Sequence, residues 1–166
     1  MKELMVCISN IIVSIFQFFG HDLSEKQMNF IEQFIKFGIV GCSNTAVSYM
    51  VYIVSLLIFK RLHIFPNEDY IIAQIIQFIL SVLWSFFWNN KFVFKLESGE
   101  RRNLGIALVK TYISYSFTGL FLNAILLIIW VKVVHLSEFI APLLNLIISV
   151  PINFIINKYW AFSTEK

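Results

Sequence analysis

Eight polar residues recur at intervals of four against an apolar background: Gln77, Ser81, Ser85 and Asn89, then Asn145, Ser149, Asn153 and Asn157. Amides and hydroxyls donate and accept, so a line of them suits the hydroxyls of a sugar-like headgroup. A step of four keeps side chains on one slowly drifting helical face. In lipid that face must turn inward, because an unsatisfied amide is costly there. The same series can serve instead as glue between membrane helices, and the pattern leaves both roles open. Cations stand close by: Lys91 lies two residues after Asn89, Lys158 directly follows Asn157, and Lys36, Lys110, Arg101 and Arg102 complete the group. Partly desolvated cations hold a lipid phosphate more firmly than they would in water. Ordinary topology determination and attraction to anionic lipid explain the same charges.

The elements that position these residues follow from composition. The 166 residues are 58% hydrophobic and only 14% charged, with a mean hydropathy of +0.77, against roughly one quarter charged in a soluble domain. A chain this small has too little interior to hide so much apolar surface from water, so lipid is its solvent and an appended enzyme domain is not expected. The net charge of +3 is too mild for a nucleic-acid binder. Cys7 and Cys42 show no paired spacing, which suggests neither a disulfide framework nor a metal cluster, and both read as small core residues.

Charge-free runs cover residues 37–59, 70–90, 111–131 and 139–157, each about one bilayer long as a helix. Four spans follow, at about 37–59, 70–90, 108–131 and 139–160. Aromatic residues gather at their ends, with Trp84, Trp88, Phe92 and Phe94 after the second and Tyr159, Trp160 and Phe162 after the fourth, as an interfacial belt requires. A fifth run, 4–21, carries a polar stripe at Glu3, Cys7, Asn10, Ser14, Gln17 and His21, which favours a helix lying in the interface over a spanning one. Met1-Lys2-Glu3 supplies no basic leader, which disfavours a signal peptide. Ser24 and Gln27 have capping-box spacing and open a short amphipathic approach carrying Met28, Ile31, Phe34 and Ile35. The fold expected is an all-α integral membrane bundle, with interfacial and amphipathic helices over 1–36 and a four-span domain over 37–163.

Alternate sides of the four spans hold ten and three of the Lys and Arg residues, which puts both ends of the four-span domain in the cytoplasm. Sliding the chain by 68 residues lays Phe86, Asn89, Phe92 and Phe94 over Phe154, Asn157, Trp160 and Phe162, and Ala73, Ser81 and Val82 over the identical Ala141, Ser149 and Val150. Two parallel copies of a two-helix hairpin follow, related by an axis along the membrane normal. The first and third spans match less well.

No Asp, Glu or His lies within any expected span, so the titratable group of a proton-coupled carrier is lacking, which disfavours a small-solute exporter. Glu68, Asp69 and Glu138 read as solvated caps at the outer ends. Gly38, Gly41, Thr45 and Ser48 make a strip of small residues that suits close helix packing, with the polar Asn44 beside it needing a partner. Pro142 and Pro151 suggest a kink in the fourth span. There is no phosphate-cradling glycine loop, zinc spacing, nucleophile elbow or paired carboxylate motif, so the chain reads as a non-enzyme needing no cofactor.

The run Phe34-Ile-Lys-Phe-Gly-Ile-Val-Gly-Cys-Ser-Asn44, with Phe86-Phe-Trp-Asn-Asn-Lys-Phe-Val-Phe94 and Phe154-Ile-Ile-Asn-Lys-Tyr-Trp-Ala-Phe162, resembles the GtrA-like family of small four-span membrane proteins over about residues 30–163. The resemblance implies a role in cell-surface polysaccharide synthesis or wall glycosylation, by moving a polyprenyl-phosphate-linked monosaccharide across the cytoplasmic membrane between membrane glycosyltransferases. Asn89 and Asn157 match the family's motif asparagine, Lys158 the basic residue after it, and Gly41 and Asn44 the first-span motif. In the first copy the basic position is Asn90, with Lys91 one residue further on. Asn89, Lys91, Asn157, Lys158, Asn44, Lys110, Asn153 and Ser85 are the candidate headgroup and phosphate residues. A non-transporting accessory subunit of a polyprenyl-phosphate glycosyltransferase is the alternative, and four short spans suit a homodimer.

Overall fold

A computed structural model of the chain describes residues 23–64, 67–96, 98–137 and 140–164; the expected helix over 4–21 lies outside them. Among the described residues, four helices are long and apolar enough to cross a membrane, at Glu25–Leu62, Asp69–Val93, Leu104–Val133 and Leu143–Ala161. Helix α1 (Glu25–Leu62) opens on the expected capping box, in which Ser24 accepts from the Gln27 N–H and the Gln27 side chain accepts from the Ser24 N–H at 2.9 Å. It runs without a break through the amphipathic approach into the first span. The second span is α2 (Asp69–Trp88) followed by a π turn, Asn89–Val93. The third comprises α3 (Leu104–Ser116) and α4 (Asn123–Ile128), each continued by a π turn. The fourth is α5 (Ala141–Ile156) with its π turn Asn157–Ala161.

The repeat is visible in the packing. Ala73 and Ala141, Ser81 and Ser149, Asn89 and Asn157, Val93 and Ala161, and Phe94 and Phe162 are each buried as pairs separated by 68 positions. Phe86 stacks on Phe162 at 5.5 Å, while its counterpart Phe154 stacks on Phe94 at 5.9 Å, the same contact with the copies exchanged. Phe94 and Phe162 themselves stack at 4.7 Å, as rings facing each other across a twofold axis would. With no hydrophobic gain between helices in lipid, such ring packing and the buried hydrogen bonds must hold the bundle together. Phe154 is further enclosed by Phe30, Phe34 and Phe37 of α1 at 5.2, 5.2 and 5.5 Å.

Several local expectations are corrected. Phe94 and Phe162 are core rings, not belt residues, because both copies turn them onto the axis. Cys42 is exposed, on the outer side of α1. Pro142 lies in the first turn of α5, where the N–H it lacks has no helical partner to lose, which leaves Pro151 as the proline inside that helix. The small-residue strip is not closely packed within one chain: a Cβ on Gly38 or Gly41 would meet nothing within 4 Å.

Candidate functional site

The two π turns begin on the motif asparagines and share one backbone device. The Phe94 N–H donates to the Asn89 carbonyl at 2.8 Å, and the Phe162 N–H donates to the Asn157 carbonyl at 2.8 Å. Widening to an i,i+5 bond inserts an extra residue into the turn, which lets both Asn89 and Phe94, and likewise Asn157 and Phe162, face the interior. Both asparagines have no exposed surface.

Their amides are satisfied on one side only. Asn89 Nδ2 donates to Ser85 Oγ at 3.1 Å and to Tyr115 Oη at 3.5 Å, and Ser85 is itself hydrogen-bonded to Tyr115. Asn157 Nδ2 donates to the Asn153 carbonyl at 2.8 Å and to Asn153 Oδ1 at 2.9 Å. The Oδ1 atoms of Asn89 and Asn157 are both buried without a donor, a state that costs about 1–3 kcal/mol per acceptor. Deeper in the bundle the same faces are closed by helix-joining bonds. Gln77 donates to Ser48, Asn145 Nδ2 donates to the Asn123 carbonyl at 3.0 Å, and Ser149 donates to Asn123 Oδ1 at 2.6 Å. The far part of the polar series is thus bonded between helices, although Asn145 Oδ1 is also buried without a donor, and near the basic end the acceptors of Asn89 and Asn157 are both open.

The cations divide too. Lys158 is half-buried, with Nζ 4.5 Å from the Phe30 ring centre and 5.7 Å from that of Phe154. Lys110 joins the same span end, donating to the Trp160 carbonyl at 3.3 Å. Lys36 is paired with Glu32. Lys91 is exposed among the rings of Phe87, Trp88 and Phe92, whereas Asn89 faces inward. One residue is about 100° around a helix, so a lysine displaced by one position turns outward. Arg102 takes the inner place instead. Its Nη1 donates to Asn90 Oδ1 at 2.8 Å and to the Phe94 carbonyl at 2.9 Å, and its guanidinium lies 5.2 Å from the Phe162 ring centre. Burial pushes the Arg102 guanidinium below its ordinary range, with nearby Glu100 opposing the change. Asn44 is half-buried with Oδ1 unpartnered and joins neither asparagine by a hydrogen bond among the described residues.

Tyr115 and Asn123 were not anticipated, nor was the stripe Thr111, Ser114 and Thr118, which is buried on the third span. Its steps of three and four were present in the sequence, but the third span matches the first too weakly to draw attention to it.

The fold and its axial ring stack define a multi-pass membrane protein made of two parallel hairpins. A profile of the GtrA/DPMS transmembrane domain matches residues 36–162, and the chain belongs to this family. It is similar to the cell wall teichoic acid glycosylation protein GtcA of Listeria monocytogenes serovar 1/2a (strain ATCC BAA-679 / EGD-e), with 25% identity over 100 residues, covering 60% of this chain and 68% of that protein. No solved structure matches.

Proposed function

We propose that the chain moves a polyprenyl-phosphate-linked monosaccharide from the cytoplasmic to the outer leaflet, for glycosylation of a cell-surface polymer such as teichoic acid. The observation that carries this reading is the pair of buried, donor-free Oδ1 atoms on Asn89 and Asn157. A sugar hydroxyl is the kind of donor they lack, and it would recover the cost of leaving them open. Asn153 and Ser85 orient the two amides, while Lys158 with Lys110 stands where a lipid phosphate would arrive. Asn44 offers a further acceptor on α1, and Lys91 serves as an interfacial anchor. The excess of cations at this end supports a cytoplasmic orientation for it, and the prenyl tail stays in lipid. The relative's name concerns cell wall teichoic acid glycosylation, in keeping with a lipid-linked sugar as cargo. The chain moves this cargo and performs no chemistry on it.

A second reading, a non-transporting accessory subunit of a polyprenyl-phosphate glycosyltransferase, draws on the strip around Gly41 and Thr45 that this chain leaves unpacked; a second copy is the other candidate occupant. The test is reconstitution of the purified protein into liposomes carrying a polyprenyl-phosphate monosaccharide, following sugar accessibility on the opposite leaflet. Acceleration over empty liposomes supports transport. No acceleration by folded protein, together with co-purification of a transferase whose rate it changes, moves the assignment to the accessory role.

A further inference from the structure

Residue 158 is a lysine, and 68 positions earlier, at the matching place of the first copy, stands Asn90. The structure nevertheless puts a cation there. Arg102 reaches back from the loop between the second and third spans and donates from Nη1 to Asn90 Oδ1 at 2.8 Å and to the Phe94 carbonyl at 2.9 Å. Its face covers Phe162, one of the two axial rings, at 5.2 Å. The side chain is half-buried, and its Nε is buried with no partner. A guanidinium offers five donors in a rigid fork matched to phosphate oxygens, so a buried N–H left idle beside a fixed charge has binding capacity to spare. Helix α3 begins two residues later, with Asn103 as its cap, and a helix N-terminus adds positive potential nearby.

We propose that Arg102 is the phosphate-binding cation of the first copy, supplying beside Asn90 the charge that Lys158 supplies in the second, so that the basic end carries two sites for the phosphate of a prenyl lipid. This rests on the reading of the chain as a handler of polyprenyl-phosphate sugars, and it extends that reading from one phosphate site to two. Glu100 is the carboxylate that competes for the guanidinium, while accepting from Thr164 Oγ1 at 3.1 Å.

Binding of farnesyl phosphate to the full chain in nanodiscs, followed by tryptophan fluorescence, tests the proposal. Arg102→Gln is expected to weaken binding about tenfold, the scale of one charge-assisted contact. Arg102→Lys retains most of the affinity, and the double variant Asn90→Lys with Arg102→Gln, which restores the lysine in register, recovers it to within about twofold of the original chain. Millimolar inorganic phosphate leaves the lipid bound; displacement would make this a free-phosphate site and overturn the lipid assignment. Unchanged affinity in Arg102→Gln, or no recovery in a double variant that melts with the original chain, would overturn the proposal. Lys158→Gln separates the two readings: if it weakens binding and Arg102→Gln does not, only the Arg102 assignment falls, and if neither does, phosphate recognition at this end falls with it.

Discussion

The segments ending the second and fourth spans are alike in backbone and unlike in what stands beside them. Both begin on a fully buried asparagine, widen into a π turn and close on an axial phenylalanine. Beside Asn89, however, Tyr115 crosses from the third span to bond Ser85 and approach the amide, whereas 68 positions before Tyr115 the first span has Val47, which brings no hydroxyl to Asn153. The first copy has Arg102 borrowed from a loop, and the second has Lys158 in place. Duplication therefore accounts for the ends of the second and fourth spans, while the polar groups that stand beside them differ. Residues that hold the fold need to be equivalent, but a path for an asymmetric headgroup does not.

Five substitutions probe this comparison, and the largest effect is expected in the rings. Phe154→Ala empties a site ringed by Phe30, Phe34, Phe37 and Phe94 and should lower stability by about 3 kcal/mol, read as melting in detergent. Phe86→Ala should cost clearly less, since Phe86 is only half-buried; equal losses would mean that the scaffold is as symmetric in energy as in geometry. Next, Asn157→Leu removes the open acceptor together with the donor to Asn153, which should cost about 1 kcal/mol of stability, and should slow lipid-linked sugar transport about tenfold, a loss that melting does not account for. Tyr115→Phe removes the third-span hydroxyl that bonds Ser85 of the first copy and should cost about 1 kcal/mol of stability, leaving the dependence of transport on Asn157 as it was. The smallest effect belongs to Glu100→Gln, which keeps an acceptor for Thr164 but relieves Arg102 of its competitor, and should tighten farnesyl phosphate binding about threefold.

The architecture was legible in the sequence because lipid punishes charge, so uncharged runs mark spans, and because steps of four with a register of 68 mark buried faces. Gln77, Ser81, Ser85, Asn89 and their partners could be placed on inward faces from spacing alone. What spacing could not reveal was which bonds close. The division into glued residues such as Ser149 and open acceptors such as Asn157 Oδ1 depends on the third span, whose Tyr115 and Asn123 meet the series only in three dimensions. The outward turn of Lys91 has a related cause: proximity in sequence to Asn89 does not survive a turn of 100° per residue. Arg102, twelve residues from Asn90, needed a folded loop to be seen. Phe94 and Phe162 were legible as motif residues but taken for part of an interfacial belt, since composition does not distinguish a ring facing lipid headgroups from one facing its own duplicate.

The central claim is that the two open asparagine acceptors form the sugar path. The most direct test compares transport of a polyprenyl-phosphate monosaccharide by the unaltered chain, Asn89→Leu, Asn157→Leu and the double variant, reconstituted at equal density in liposomes and matched for melting. The account predicts that each single change slows transport by about tenfold and that the double variant falls to the rate of empty liposomes. Transport undiminished in all three variants would contradict it and return both asparagines to the role of helix glue.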